Sequence, residues 1–244
     1  MTHPLIIAHR GASAALPENT LPAFRGAVAA RADGIELDVQ VTADGVPVVF
    51  HDSSLARLTG ARGRIAARTW TGLAPLRVRG VAPIPRLVDV LRYTRGRTLA
   101  QIELKAGAAV APVIHAVRAA RAARGVILAS FSPALVAEAR RLAPRIPRML
   151  ITEGRAGCAS LHRRLDALDA VGVSVNHAAL RDAGWIHYFQ SQGLKVWCWT
   201  VNDPARMRVL AGWGVDAILS DNPALLRSVI RFRWEAPTVR RRTR

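Results

Sequence analysis

Three observations in the 244-residue sequence predict an α/β fold, a (β/α)₈ TIM barrel with a small insertion after the second strand. Short β-branched runs alternate with longer Ala-, Leu- and Arg-rich segments of helical period, the pattern of repeated βα units around a parallel sheet. The alternation repeats eight times, and the length is close to the roughly 250 residues of a typical eight-stranded barrel. Neither G-x-G-x-x-G nor G-x-x-x-x-G-K-S/T follows a strand, which weakens the alternative of an open, nucleotide-binding sheet.

In chain order the strands are expected at Leu5–His9, Ile35–Val41, Leu99–Lys105, Val126–Ser130, Arg148–Thr152, Gly172–Asn176, Lys195–Val201 and Ala217–Ser220. Helices are expected near 20–31, 85–94, 108–124, 133–142, 159–168, 179–192, 204–212 and 223–230. Ser132-Pro133, Asp203-Pro204 and Asn222-Pro223 mark helix starts, with Pro in the first turn, where its missing N–H costs nothing. Residues 42–46 hold an Asp-Gly turn between two apolar runs, a hairpin signal that returns the chain as Pro47–His51 beside the second strand. About thirty residues rich in Gly, Pro and Arg follow, more than an ordinary βα loop holds. They are expected to form an insertion, about 52–83, over the C-terminal mouth where barrel enzymes carry their active sites. One barrel domain over 1–230 and a basic, disordered tail over 231–244 complete the expected organisation.

Half the residues are apolar and 21% are charged, which suggests neither disorder nor a membrane-spanning protein. The N-terminus lacks the basic start and long apolar stretch of a secretory signal, so a cytoplasmic location is expected. Cys158 and Cys198 are the two cysteines and lie in no metal-ligand spacing. The net charge of +18 suits an anionic substrate, and the six Arg of the tail allow a weak contact with an anionic membrane or nucleic acid. No obligate protein partner is evident. Only Lys105 and Lys195 among the 35 basic residues are Lys, so Lys105 marks a place where a compact ammonium is wanted.

Glu36 and Asp38 stand two apart in a strand and project from the same face, where they repel unless a cation or proton holds them. Glu103 and Lys105 repeat the spacing in the next barrel strand. Three carboxylates on adjacent strands would make a site for a hard divalent cation, Mg²⁺ or Ca²⁺; a barrel-end ion pair between Glu103 and Lys105 is the plainer alternative. His9 ends the first strand and His51 the returning hairpin, so both imidazoles can converge on the acids and serve acid–base chemistry. Arg10 could grip a phosphate bidentately or pair with Glu18. His3, His115, His162, His177 and His187 lack such company.

His9-Arg10-Gly11, Pro17-Glu18-Asn19-Thr20, Glu36-Leu37-Asp38, Asp44-Gly45 through His51-Asp52, Ile102-Glu103-Leu104-Lys105, Ser130-Phe131, Trp199-Thr200-Val201-Asn202 and Ser220-Asp221-Asn222-Pro223 occur in this order. The series resembles the signature of the glycerophosphodiester phosphodiesterase family over about residues 5–228. The resemblance implies metal-dependent hydrolysis of a small-molecule glycerophosphodiester to sn-glycerol 3-phosphate and an alcohol. It assigns Glu36, Asp38 and Glu103 to the metal and His9 and His51 to the acid–base pair. Arg10 and Lys105 become phosphate contacts, and Trp199 a wall of the glycerol pocket or a core residue. The sequence departs from the family near Gly72, where an acid is usual, and at Arg86, where Thr is usual, which bears on substrate choice. Phospholipase D-type cleavage of lysophospholipids on the same barrel, and a non-catalytic phosphate- or nucleic-acid-binding barrel, are the alternatives. Which histidine is acid, and whether water or the neighbouring glycerol hydroxyl attacks, stay open.

Overall fold

A computed structural model describes residues 3–105 and 110–231; the Arg-rich tail beyond lies outside the described residues. The elements run β1 (Leu5–His9), α1 (Leu21–Ala29), β2 (Gly34–Val41), β3 (Pro47–Val49), α2 (Ala56–Thr59), α3 (Trp70–Leu73), β4 (Arg77–Val78) and β5 (Ala82–Pro83). They continue α4 (Leu87–Thr94), β6 (Leu99–Leu104), α5 (Val110–Ala119), β7 (Val126–Ser130), α6 (Pro133–Leu142), β8 (Arg148–Thr152) and α7 (Cys158–Leu168). The last are β9 (Gly172–Asn176), α8 (Ala183–Ser191), β10 (Lys195–Trp199), α9 (Pro204–Gly212), β11 (Ala217–Ser220) and α10 (Pro223–Arg231).

Eight of the strands close into a parallel barrel in the order β1-β2-β6-β7-β8-β9-β10-β11 and back to β1. The expected (β/α)₈ barrel is therefore the fold. Strand alternation divides its apolar residues between two environments. Ile6 and Ala8 pack with the surrounding helices, while Ile7 joins Met149, Ile151, Trp197 and Leu219 in a second cluster among the strands. Gly172 permits close strand approach, because a Cβ there would stand 2.2 Å from the Lys195 carbonyl oxygen.

The hairpin forms as the Asp-Gly turn predicts, with β3 antiparallel to β2 and Val39 opposite Val49. It stops two residues short of His51, although Phe50 N–H still donates to the Asp38 carbonyl at 2.9 Å. The chain beyond builds α2, α3 and the β4–β5 ribbon around an apolar cluster of its own, including Val48, Phe50, Leu55, Leu58, Ile65 and Leu73. Thr20, Ser132 and Asp203 cap their helices through side-chain oxygens, with Pro in the first turn.

Several expected boundaries move for local reasons. The helix expected over 179–192 begins at Ala183, where Asp182 accepts the Gly184 N–H at 2.7 Å. The stretch before it is a 3₁₀ turn, His177–Ala179, stabilised by Asn176. Arg121, in the left-handed region at φ 52°, separates α5 from a second 3₁₀ turn, where one helix to 124 was expected. The strand expected to reach Val201 ends at Trp199.

Candidate active site

The C-terminal ends of β1, β2 and β6 present the acids that the two-residue spacing places on one face. Register sets His9 opposite Glu36 and Asp38 opposite Glu103 on neighbouring rungs. Glu36, Asp38 and Glu103 are buried, and each offers an oxygen within 4.8 Å of the others. Lys105 Nζ lies 2.8 Å from Asp38 Oδ1 and 2.6 Å from Glu103 Oε1, so the expected Glu103–Lys105 ion pair forms and extends to Asp38.

This packing strains the protonation of the cluster. Burial and the Asp38 charge drive the Glu36 carboxyl well above the usual range, and the same causes raise Glu103. Burial also opposes ionisation of Asp38, but the Lys105 and Arg10 charges beside it hold its carboxyl low. Asp38 Oδ1 is buried with an ion pair but no well-aligned hydrogen bond. Three clustered carboxylates, two of them reluctant to ionise alone, form an oxygen donor set suited to a hard divalent cation.

The turn after β1 brings a guanidinium to the cluster. Arg10 is left-handed at φ 56°, and Gly11 follows at φ 84°, where a Cβ would stand 2.7 Å from the Ala23 backbone. Arg10 N–H donates to Glu36 Oε2 at 3.0 Å, its Nε lies 3.1 Å from Asp38 Oδ2, and its Nη1 donates to Glu18 at 2.9 Å. Asn19, also left-handed, donates its amide to Asp38 Oδ2 at 2.7 Å.

Each of the two site histidines has a carboxylate on Nδ1. His9 meets Asp221 Oδ1 at 2.7 Å, with Nε2 turned towards Glu36 at 4.0 Å. Burial would lower its pKa, but the Asp221 bond and the Glu36 charge raise it. Asp221 also accepts from Ser13 and Asn202; burial opposes its ionisation, but the His9 bond and charge, helped by these two donors, bring its carboxyl down to about 2. His51 meets Asp52 Oδ1 at 2.6 Å, and burial lowers its pKa. Asp52 in turn accepts from Arg57, the main reason its carboxyl lies below the usual range.

A cavity of about 230 Å³ joins these groups. Its lining combines the ionisable His9, Arg10, His51, Glu36, Glu103, Lys105 and Glu153 with the apolar Phe131, Ile151, Trp199 and Leu219. Trp199 donates its Nε1–H to the Ser174 carbonyl at 3.1 Å and meets Phe131 edge-on, 5.6 Å between centroids. The other five histidines do not line it, and neither do Gly72 or Arg86, which pairs with Asp89 and covers Trp70. Sequence reasoning gave no role to Asn19, Asp52, Arg57, Phe131, Glu153 or Asp221. All but Arg57 and Glu153 lie in the motif segments, which was the available signal.

A charged cluster and paired imidazoles at the mouth of a barrel fit several phosphate chemistries, and likeness to known proteins narrows them. The profile of the Glycerophosphoryl diester phosphodiesterase family matches residues 9–225. The chain belongs to that family. It is accordingly an enzyme, a phosphoric diester hydrolase. A glycerophosphodiester phosphodiesterase of Caldanaerobacter subterraneus is 31% identical over 255 residues, covering 93% of this chain and 98% of the relative. Among solved structures, a putative glycerophosphoryl diester phosphodiesterase from Silicibacter pomeroyi superposes with a TM-score of 0.86 at 29% identity, covering 94% of this chain and 93% of its own. An Oleispira antarctica phosphodiesterase, solved in complex with the product sn-glycerol-3-phosphate, gives 0.84 at 27% identity, covering 93% and 97%.

Proposed function

We propose that this chain hydrolyses glycerophosphodiesters to sn-glycerol 3-phosphate and an alcohol. His9 and His51 form the acid–base pair, and Glu36, Asp38 and Glu103 hold a divalent cation, Mg²⁺ or Ca²⁺. The observation that carries this reading is the convergence of two imidazoles, each ordered by its own carboxylate, on one cavity with three clustered acids. The Oleispira relative supports the glycerol product.

A cation held by the three acids would neutralise charge on the non-bridging phosphate oxygens. Arg10 and Lys105 add fixed positive charge to the same wall, and the Arg10 fork suits two phosphate oxygens. With Nδ1 donating to Asp221 or Asp52, each imidazole keeps Nε2 for proton transfer. One histidine takes a proton from the attacking hydroxyl, and the other supplies one to the departing alkoxide. The attacker is water, or the substrate's own neighbouring hydroxyl, which is already tethered and gives a cyclic phosphate that water must then open to sn-glycerol 3-phosphate. Phe131 and Trp199 offer an apolar face to the glycerol carbons. The small cavity supports a headgroup-sized diester over a lysophospholipid.

Protein stripped with EDTA should lose turnover of glycerophosphocholine and regain it with Mg²⁺ or Ca²⁺, read as released sn-glycerol 3-phosphate. Full activity in excess chelator would sink the cation claim. A different phosphorylated product would sink the substrate claim.

A further inference from the structure

We infer that Arg57, in the insertion, is a positioning residue that fixes His51 and Arg10 together by gripping the carboxylate behind each. The inference rests on the proposed roles of those two side chains. Arg57 makes two two-pronged contacts. Its Nε and Nη2 reach Asp52 Oδ2 and Oδ1 at 2.6 and 2.9 Å. Its Nη1 and Nη2 reach Glu18 Oε2 and Oε1 at 3.0 and 2.9 Å.

Both carboxylates are shared with the site. Asp52 Oδ1 receives His51 Nδ1, and Glu18 Oε1 receives Arg10 Nη1. Arg10 then closes on Asp38. The contacts form a chain from His51 through Asp52, Arg57, Glu18 and Arg10 to Asp38, spanning the insertion, the loop after β1 and β2. A guanidinium can engage two carboxylates in this way because its donors form a rigid planar fork; an ammonium cannot.

A purely structural role is a poor account of Arg57. Its side chain is 46% exposed, and ion pairs so placed add little stability. The insertion already has an apolar core, with Leu55 and Leu58 buried on either side of Arg57. The physical consequence of the grip is orientation. Asp52, held anionic and in place, must accept from His51, which sets Nδ1–H as the donor and leaves Nε2 free. Without Arg57, Asp52 can turn to solvent and the ring loses that preference. By the second arm, Glu18 loses two of its three donors, and Arg10 loses a rigid support.

The two arms separate in kinetics with glycerophosphocholine as probe. Arg57→Ala should lower kcat by about 10- to 100-fold, the usual cost of losing a supporting contact behind a working residue, and should also raise KM. The kcat loss should be no greater in Arg57→Ala/Asp52→Asn than in the worse single variant, and the KM rise no greater in Arg57→Ala/Glu18→Gln. Millimolar guanidinium should restore part of the Arg57→Ala activity, with sodium at equal ionic strength inert. Arg57→Lys should recover less than half of the loss. Fully multiplicative double variants, or an Arg57→Ala enzyme within twofold of the parent, would overturn the inference.

Imidazole ¹⁵N NMR of His51 gives a readout independent of turnover. Arg57→Ala should shift the ring from a single Nδ1–H tautomer to a mixture while far-UV and near-UV circular dichroism stay unchanged. An unchanged ring would overturn the positioning role. If the parent protein does not cleave glycerophosphocholine, the proposed function falls, and the ring tautomer still decides the claim about Arg57.

Discussion

The two site histidines are held in opposite ways. His9 ends a barrel strand and takes its carboxylate, Asp221, from the far end of the chain, 212 residues away. His51 lies two residues beyond a hairpin strand and takes its carboxylate from the next residue, Asp52. Closure of β1 against β11 therefore makes the first pair, and the Ser13 and Asn202 donors brace it from both sides of the seam. The second pair forms locally and depends on the insertion, through Arg57, for its orientation. Similar imidazole–carboxylate pairs thus rest on the global fold in one case and on a small attached layer in the other.

The largest effects should come from the imidazoles themselves. His9→Ala and His51→Ala should each cut kcat by about 10²–10⁴-fold, the ordinary contribution of a general acid or base, with unchanged circular dichroism. Near-normal turnover by either variant would remove that histidine from the chemistry. The supporting carboxylates should then divide the two regions. Asp221→Asn and Asp52→Asn should each cost about 10- to 100-fold in kcat. Asp221→Asn should also lower global stability by about 1–3 kcal/mol, and by more than Asp52→Asn does, because it disturbs a braced, half-buried seam. Equal denaturation midpoints for the two variants would erase the distinction drawn here.

The smallest effect is on acid stability. Glu18 and Asp52 have carboxyls below their ordinary values of 4.5 and 3.8, Asp52 chiefly through the Arg57 bonds and Glu18 through Arg57 and Arg10 against opposing burial. Their contribution is therefore complete above those ordinary values and is lost as pH falls through them towards the lower folded values. Arg57→Met should flatten the decline of stability below about pH 5, a range set by ordinary carboxylate titration. Urea midpoints at pH 3.5 and 7 measure it, and an unaltered slope would show that the clamp contributes nothing to folding.

Much of the site could be read from the sequence because its geometry is local. Glu36 with Asp38, and Glu103 with Lys105, share faces through the two-residue period of a strand, and an Asp-Gly turn necessarily returns His51 towards Asp38. The pairing of Arg10 with Glu18 was likewise within reach, since one short loop separates them. Asp221 was visible as part of a motif, but its partner was not. Contact between residues 9 and 221 exists only once eight strands have closed. Arg57 carried less signal still, being one arginine in an Arg-rich chain. Its meeting with Glu18, 39 residues away, depends on how the insertion folds over the mouth.

The sequence by itself determined the alternation of strands and helices, the strand ends that carry the acids and imidazoles, and the turn that brings the hairpin back. Periodicity and turn stereochemistry act over a few residues, so a linear reading captures them. Only the tertiary structure decided that Lys105 would reach Asp38 as well as Glu103, that Asp221 would meet His9, and that Arg57 would tie His51 to Arg10. Those choices depend on distances across a closed barrel and its inserted layer. Charge placement there is settled by burial and by which side chains meet in three dimensions, and neither is encoded in spacing along the chain.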